Sequence, residues 1–153
     1  MKINLNEGAH PIQKNPDRMN LNLRIKFKEE IDKMITSGIG EAVEELEWII
    51  MMVISIKKDG RINICVYYRD LNTVCVIDPF PTPFTKEILE GVAGYEIYSF
   101  TDGFSGYHQV RISKEDQEKE TFSPGWGNFS YTVMPFGLKN TPVVFSQIVV
   151  LKF

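Results

Sequence analysis

The chain has 153 residues, 43% of them hydrophobic and 24% charged, with a formal net charge of −3. That is one domain's worth of chain with enough apolar content for a core, and no apolar run approaches the roughly 18 residues of a membrane span. No leader resembles a signal peptide, Cys65 and Cys75 lack metal-site spacing, and the acidic balance opposes the basic surface that phosphate binding usually employs. The two cysteines read as reduced thiols, so the expected setting is intracellular and soluble.

Residues 1–22 are polar, contain Pro11 and Pro16 and show no period, which predicts an extended lead-in. Residues 26–37 read as an amphipathic helix. Phe27, Ile31, Met34 and Ile35 share one face, and Gly38 supplies the left-handed stop. Glu41, Glu44, Glu45 and Glu47 read as a solvated run. Residues 49–56 are almost continuously apolar, a buried strand or an exposed edge. Asp59-Gly60 between two β-rich runs signals a hairpin. On its second strand Ile62, Ile64, Val66 and Tyr68 face one way, toward the core, and Arg61, Asn63, Cys65 and Tyr67 the other.

Residues 78–83 hold three prolines and must be extended. A short helix is expected next, capped by Thr82, with Pro83 at its first position and Gly91 after its end. Residues 96–101 read as a strand on which Tyr98, Phe100 and Asp102 share a face. Residues 113–119 read as a capped helix with Asp116 three places after Ser113. Residues 120–123 and 129–133 form a second hairpin. Residues 141–153 form a helix that is apolar nearly all round and needs burial. Helix, hairpin, strand, helix, hairpin, helix is an α+β order, not a βαβ repeat.

Asp102 is the main candidate for chemistry. A carboxylate at a strand end beside Gly103 can hold a divalent cation together with a nearby carbonyl. A turn aspartate bonded to its own backbone fits the same pattern and is the commoner use of Asp-Gly. A serine-hydrolase site is excluded, because Gly103-Phe-Ser-Gly106 lacks the Gly-X-Ser-X-Gly spacing.

The run Asp102-Gly-Phe-Ser-Gly-Tyr-His-Gln109 resembles the first catalytic-aspartate motif of reverse transcriptases from gypsy-type LTR retrotransposons. Lys57-Lys-Asp-Gly60, Val66-Tyr-Tyr-Arg-Asp-Leu-Asn72 and Val133-Met-Pro-Phe-Gly-Leu-Lys-Asn140 match in the same order. The likeness extends from about His10 to the end and is dense from Lys57 onward. It implies a polymerase fold with a fingers subdomain and part of a palm. The implied division is a lead-in at 1–22, fingers at 23–77 and 111–140, palm at 78–110, and a truncated palm helix at 141–153.

The resemblance implies template-directed DNA synthesis from deoxynucleotides on an RNA or DNA template, by two-metal nucleotidyl transfer. Asp102 is the implied catalytic residue, with Gly103 assisting at a Mg²⁺ or Mn²⁺ ion. Lys57 or Lys58 would meet the triphosphate. Tyr107 would lie under the sugar and exclude a 2′-hydroxyl. Phe136 and Gly137 would line the nucleotide pocket, Arg69 and Asn72 would lie near the template, and Arg61 would join a nucleic-acid surface. His108 is taken as structural. Implied partners are template–primer, deoxynucleotides and other segments of a retrotransposon polyprotein, with no membrane.

Several positions depart from the family pattern. Asn63 stands where relatives have an arginine that clamps the triphosphate, and Tyr67 where they have aspartate. Ile50, Met51 and Ile56 replace a Ser-Pro pair and a proline. No Tyr-X-Asp-Asp run is present. The expectation is therefore a fragment that is inactive alone and binds metal weakly. A non-catalytic nucleic-acid-binding remnant using Lys57, Lys58, Arg61 and Arg69, or the inert product of a decayed element, are the alternatives.

Overall fold

Asn20 opens the first helix. Its Oδ1 accepts the Leu23 N–H at 2.8 Å, satisfying a donor that the first turn cannot pair internally. Helix α1 (Leu21–Thr36) therefore starts before Lys26, where apolar periodicity alone would begin it. Gly38, at φ +70°, ends the helix region, and its N–H donates to the Ile35 carbonyl at 2.9 Å. Phe27 and Ile31 are fully buried, whereas Ile35 at the edge of the same face is exposed. The structure is a computed structural model that describes all residues except Pro16, Asp17, Glu45, Leu46, Phe100, Thr101, Phe104 and Phe153.

Two short antiparallel ladders lie against this helix. Strand β1 (Gly40–Ala42) pairs with β4 (Phe129–Tyr131), Gly40 opposite Tyr131. Strand β2 (Met52–Ile56) pairs with β3 (Ile62–Val66), Met52 opposite Val66 and Ile56 opposite Ile62. The hairpin closes at Asp59-Gly60, with Gly60 at φ +79°. The alternation of β3 follows the sequence. Ile62 is buried and Ile64 and Val66 partly so, whereas Arg61, Asn63 and Cys65 are exposed. The apolar run before it alternates as well, with Ile50 and Met52 buried but Val53 and Ile56 exposed. Strand β1 was not foreseen. It fits because Gly40 has no side chain: a Cβ there would lie 2.9 Å from the Ser130 carbonyl oxygen and collide with Met34.

Two apolar clusters form the core. Phe27, Ile31, Met52, Ile62, Phe122 and Phe129 pack α1 onto both ladders. Ile3, Trp48, Ile50, Tyr68, Leu71, Cys75, Ile112 and Leu138 form the other, around helix α2 (Arg69–Val74). The described residues ahead of α1 are packed against the rest of the chain. Asn6 N–H donates to the Val74 carbonyl at 2.8 Å, Val76 N–H to Asn4 at 2.9 Å, and Ile49 N–H to Ile12 at 2.7 Å. Ile3 is the side chain that anchors this segment.

The middle of the chain departs from expectation. Helix α3 (Thr85–Val92) starts after Phe84, which stays extended at ψ 141°, so Thr82 is not its cap and Gly91 lies inside it. Glu87 supplies the N-terminal acceptor, taking the Phe84 N–H at 3.4 Å. Residues 96–99 form no ladder, and the rest of the expected strand, Phe100 and Thr101, lies outside the described residues. A strand needs a hydrogen-bonded neighbour, and every side chain from 83 to 99 is exposed. Helix α4 (Lys114–Gln117) follows Ser113 and continues into a 3₁₀ turn, Glu118–Glu120. Helix α5 (Thr141–Lys152) is the apolar C-terminal helix; Thr141 is its one buried residue, and Val150 and Leu151 face solvent.

Candidate nucleotide and nucleic-acid site

The loop that begins at Asp102 lies over α5. Gly106 N–H donates to the Gly103 carbonyl at 2.8 Å, and residues Tyr107–Gln109 form a 3₁₀ turn. Phe145 of α5 sits directly beneath. A Cβ on Gly106 would be 2.7 Å from Phe145 Cε2, and one on Gly103 would be 3.6 Å from Cζ. Gly106 has ordinary helical angles (φ −53°, ψ −40°), so crowding by the ring and by the Gly103 carbonyl oxygen, 3.1 Å from that Cβ, rather than its own backbone conformation, favours glycine there. Between them Ser105 is held at φ +49°, the only non-glycine residue with positive φ among those described. That conformation costs an L-residue roughly 1–2 kcal/mol.

Tyr107 lies between two rings. Its centroid is 4.8 Å from Phe136 and 5.2 Å from Phe145, the latter edge-on. His108 adds a third contact, 5.8 Å from Phe136. Pairs at these separations are favourable by about 0.5–1.5 kcal/mol beyond burial. The loop after Asp102, the Pro135-Phe-Gly137 turn and α5 are thus joined through Tyr107. Phe145 was not singled out in the sequence, where it is one of many apolar residues of its helix.

The Phe136–Gly137 turn is tied down from α2. Asn72 donates its Nδ2 to the Gly137 carbonyl at 2.9 Å and accepts the Lys139 N–H at 2.7 Å. Gly137 takes φ +102°, and a Cβ on it would be 3.3 Å from Tyr68. Between this turn and β3 is a cleft of about 390 Å³, lined in part by Asn63, Cys65, His108, Tyr131, Pro135 and Phe136. Asn63 gives its amide to Cys65 Sγ at 3.4 Å.

The cationic candidates lie on the hairpin and α2. Lys57 and Lys58 are exposed at the hairpin tip. Arg61 is engaged with Asp59: Nη2 is 2.6 Å and Nε 2.8 Å from Asp59 Oδ2, and the Arg61 N–H donates to Oδ1 at 3.0 Å. These bonds from Arg61, side chain first, hold the Asp59 carboxyl below its ordinary range. Lys26 of α1 donates to the Gly60 carbonyl at 2.8 Å, seating the tip on the helix. Arg69 stacks over Tyr67, 5.3 Å from the ring centroid.

Asp102 and Gly103 are exposed. Among the described residues no three histidine, cysteine, aspartate or glutamate side chains converge as a metal site. One carboxylate and one carbonyl are only part of the roughly six ligands that a Mg²⁺ or Mn²⁺ ion takes, so these two residues by themselves do not make a metal site.

Residues 56–150 match the family described as reverse transcriptase (RNA-dependent DNA polymerase). The chain belongs to that family. It is 26% identical over 133 residues to the retrovirus-related Pol polyprotein from transposon opus of Drosophila melanogaster, covering 84% of this chain and 13% of the relative. It is 30% identical over 123 residues to the transposon Tf2-3 polyprotein of Schizosaccharomyces pombe, covering 80% of this chain and 9% of the relative. The chain thus spans about a tenth of the length of these polyproteins. The native protease-reverse transcriptase of prototype foamy virus has the same fold, with a TM-score of 0.76 at 18% identity, over 97% of this chain and 20% of that one. The α+β, reverse-transcriptase-like fold expected from the motifs is therefore present. No described helix is long and apolar enough to cross a membrane.

Proposed function

We propose that this chain is the nucleotide- and template-facing portion of a gypsy-type retrotransposon reverse transcriptase. The parent activity is DNA synthesis from deoxynucleotides on an RNA or DNA template. The fingers comprise residues 23–77 and 111–140, and the palm begins with 78–110 and 141–153. The contact between Tyr107 and Phe136, 4.8 Å apart, is the observation that carries this reading. It brings two separate motifs into one wall, where Tyr107 would stand under a deoxyribose and Phe136 and Gly137 would line the pocket. Lys57 and Lys58 would meet the triphosphate, and Arg61, Arg69 and Asn72 are the template-side candidates. Asp102, with the Gly103 carbonyl, would supply one carboxylate of a Mg²⁺ or Mn²⁺ set completed by other segments of a polyprotein.

A non-catalytic, nucleic-acid-binding role for the isolated chain is favoured by one feature. Asn63 presents an uncharged amide at the cleft, and the neighbouring Arg61 is engaged with Asp59. An amide cannot supply the charged fork that grips a triphosphate.

Fluorescence anisotropy with a labelled RNA–DNA template–primer tests both. Binding at about 50 mM salt that weakens steeply toward about 200 mM is expected. Absence of binding by folded protein at the lower salt would reject both readings. The same assay on a longer segment of the parent polyprotein, with deoxynucleotides and Mg²⁺, separates them: primer extension that Asp102→Asn abolishes supports the polymerase reading, and absence of extension supports the binding role.

A further inference from the structure

Asn72 binds no neighbour of its own on α2 through its side chain; it reaches across the fold. Its amide nitrogen meets the Gly137 carbonyl at 2.9 Å, and its amide oxygen meets the Lys139 N–H at 2.7 Å. One rigid planar group thus bridges two points of the turn that follows Phe136. The turn needs such a tie. Gly137 sits at φ +102°, open to many other conformations because it has no side chain. On the other flank Thr141 Oγ1 donates to the Pro135 carbonyl at 3.1 Å. Phe136 lies between the two ties and is 66% exposed, so little core packing fixes its ring. Its direction follows from the backbone that carries it, and Tyr107 and His108 rest on that ring.

We propose that Asn72 is a positioning residue: by clamping the Gly137–Lys139 turn it sets the contact between Phe136 and Tyr107. Each end of its amide is held by the turn, so the orientation of the group is set there, with one N–H and one oxygen lone pair left over. For the nucleotide pocket the consequence is indirect selectivity. If Tyr107 excludes a 2′-hydroxyl, a step that rests on the function proposed above, the sharpness of that exclusion depends on an amide that never touches the sugar.

The test uses the full chain as wild type, Asn72→Ala and Asn72→Asp. The aspartate keeps an acceptor for Lys139 but sets an oxygen against the Gly137 carbonyl. Circular dichroism checks folding. NMR reads hydrogen exchange at the Lys139 amide and the cross-peaks between the Tyr107 and Phe136 rings. Calorimetry compares dATP with ATP, which differ only at the 2′ position. In Asn72→Ala the Lys139 amide should exchange about tenfold faster or more, the ring cross-peaks should weaken, and any dATP preference should shrink several-fold. Asn72→Asp should move the cross-peaks in the same direction. Unchanged ring cross-peaks in folded variants would overturn the proposal, as would loss of cooperative melting in both. If wild type binds neither nucleotide, the pocket reading fails, and the cross-peaks still decide whether Asn72 positions the turn.

Discussion

The Tyr68 hydroxyl donates to Glu120 Oε2 at 3.4 Å inside the core, and the other carboxylate oxygen, Oε1, has no hydrogen-bond partner among the described residues. Glu120 is 0% exposed. Burial, set against that one long hydrogen bond, pushes its carboxyl well above the ordinary value of 4.5. The folded protein thus holds the proton more tightly than the unfolded chain does. The contribution of Glu120 is fully present below 4.5 and is lost as pH rises from there toward the folded-state value. Asp116 behaves oppositely. Burial would raise it, but hydrogen bonds from Lys119, Ser113 and the Ile3 N–H outweigh burial and hold it below 3.8. Its contribution is present above 3.8 and is lost as pH falls through the depressed value. The two groups place their joint optimum between 3.8 and 4.5. Urea denaturation from pH 4 to pH 8 should show stability falling with pH. In the double variant Glu120→Met with Tyr68→Phe that slope should flatten and stability at pH 8 should rise by about 1–3 kcal/mol, since the buried carboxyl is removed without stranding the Tyr68 hydroxyl. A flat wild-type profile would contradict the buried state of Glu120.

The fit of Gly106 over Phe145 gives a steric prediction. Gly106→Ala places a methyl 2.7 Å from Phe145 Cε2 and 3.1 Å from the Gly103 carbonyl oxygen. The ring can shift, but the carbonyl belongs to the same tight turn, so the substitution should destabilise by about 1–3 kcal/mol. Phe145→Leu in the same chain should recover part of that loss, because the clash is with the ring edge. Thermal melts of the two single variants and the double variant form the cycle. Additive losses would mean that the two residues do not meet.

These two sites mark how far the sequence could be read. The β2–β3 hairpin and the faces of β3 were legible in Asp59-Gly60 and the two-residue alternation, both local signals, whereas the register, Ile56 opposite Ile62, was not read. The start of α1 was missed because Asn20, a capping residue, lies outside the apolar period that defined the helix. Strand β1 is three residues long and exists through the absence of a Gly40 side chain beside Ser130, a contact 90 residues away in the chain that no local pattern announces. Residues 96–99 had the right composition for a strand, but composition cannot supply a neighbour. At the candidate site the motifs marked Tyr107, Phe136 and Gly137. The roles of Phe145 and Asn72 depend on contacts between separate segments, and Glu120 read only as the first residue of a hairpin strand.

The pairing of Arg61 with Asp59 bears on nucleic-acid affinity. Both side chains are largely exposed, so the ion pair contributes little to folding. It does occupy a guanidinium that could otherwise reach a phosphate. Asp59→Asn retains an oxygen for the Arg61 N–H, so the turn should persist, while the charge that holds the guanidinium is removed. If the hairpin tip contacts nucleic acid, this variant should bind template–primer more tightly, and its log–log salt dependence should steepen by about one unit. Anisotropy titrations at several salt concentrations read both. An unchanged slope would place Arg61 away from the bound backbone.

Among the described residues the most exposed apolar side chains are Ile97, at 86%, and Leu151, at 84%, with Phe84, Leu89, Tyr95 and Val150 also open to water. They fall on α3, on the segment that follows it and on the end of α5, elements that cover little of one another. Apolar surface this extensive favours association, because each contact removes it from water at roughly 25 cal/mol per Å². Sedimentation velocity should therefore show concentration-dependent self-association of the wild-type chain. Ile97→Lys with Leu151→Lys should shift the distribution toward monomer while leaving the thermal midpoint nearly unchanged, since neither side chain belongs to the core clusters. A wild-type chain that stays monomeric at high concentration would show that this surface is not sticky enough to act. A midpoint that drops in the double variant would instead assign these residues a packing role in the folded chain.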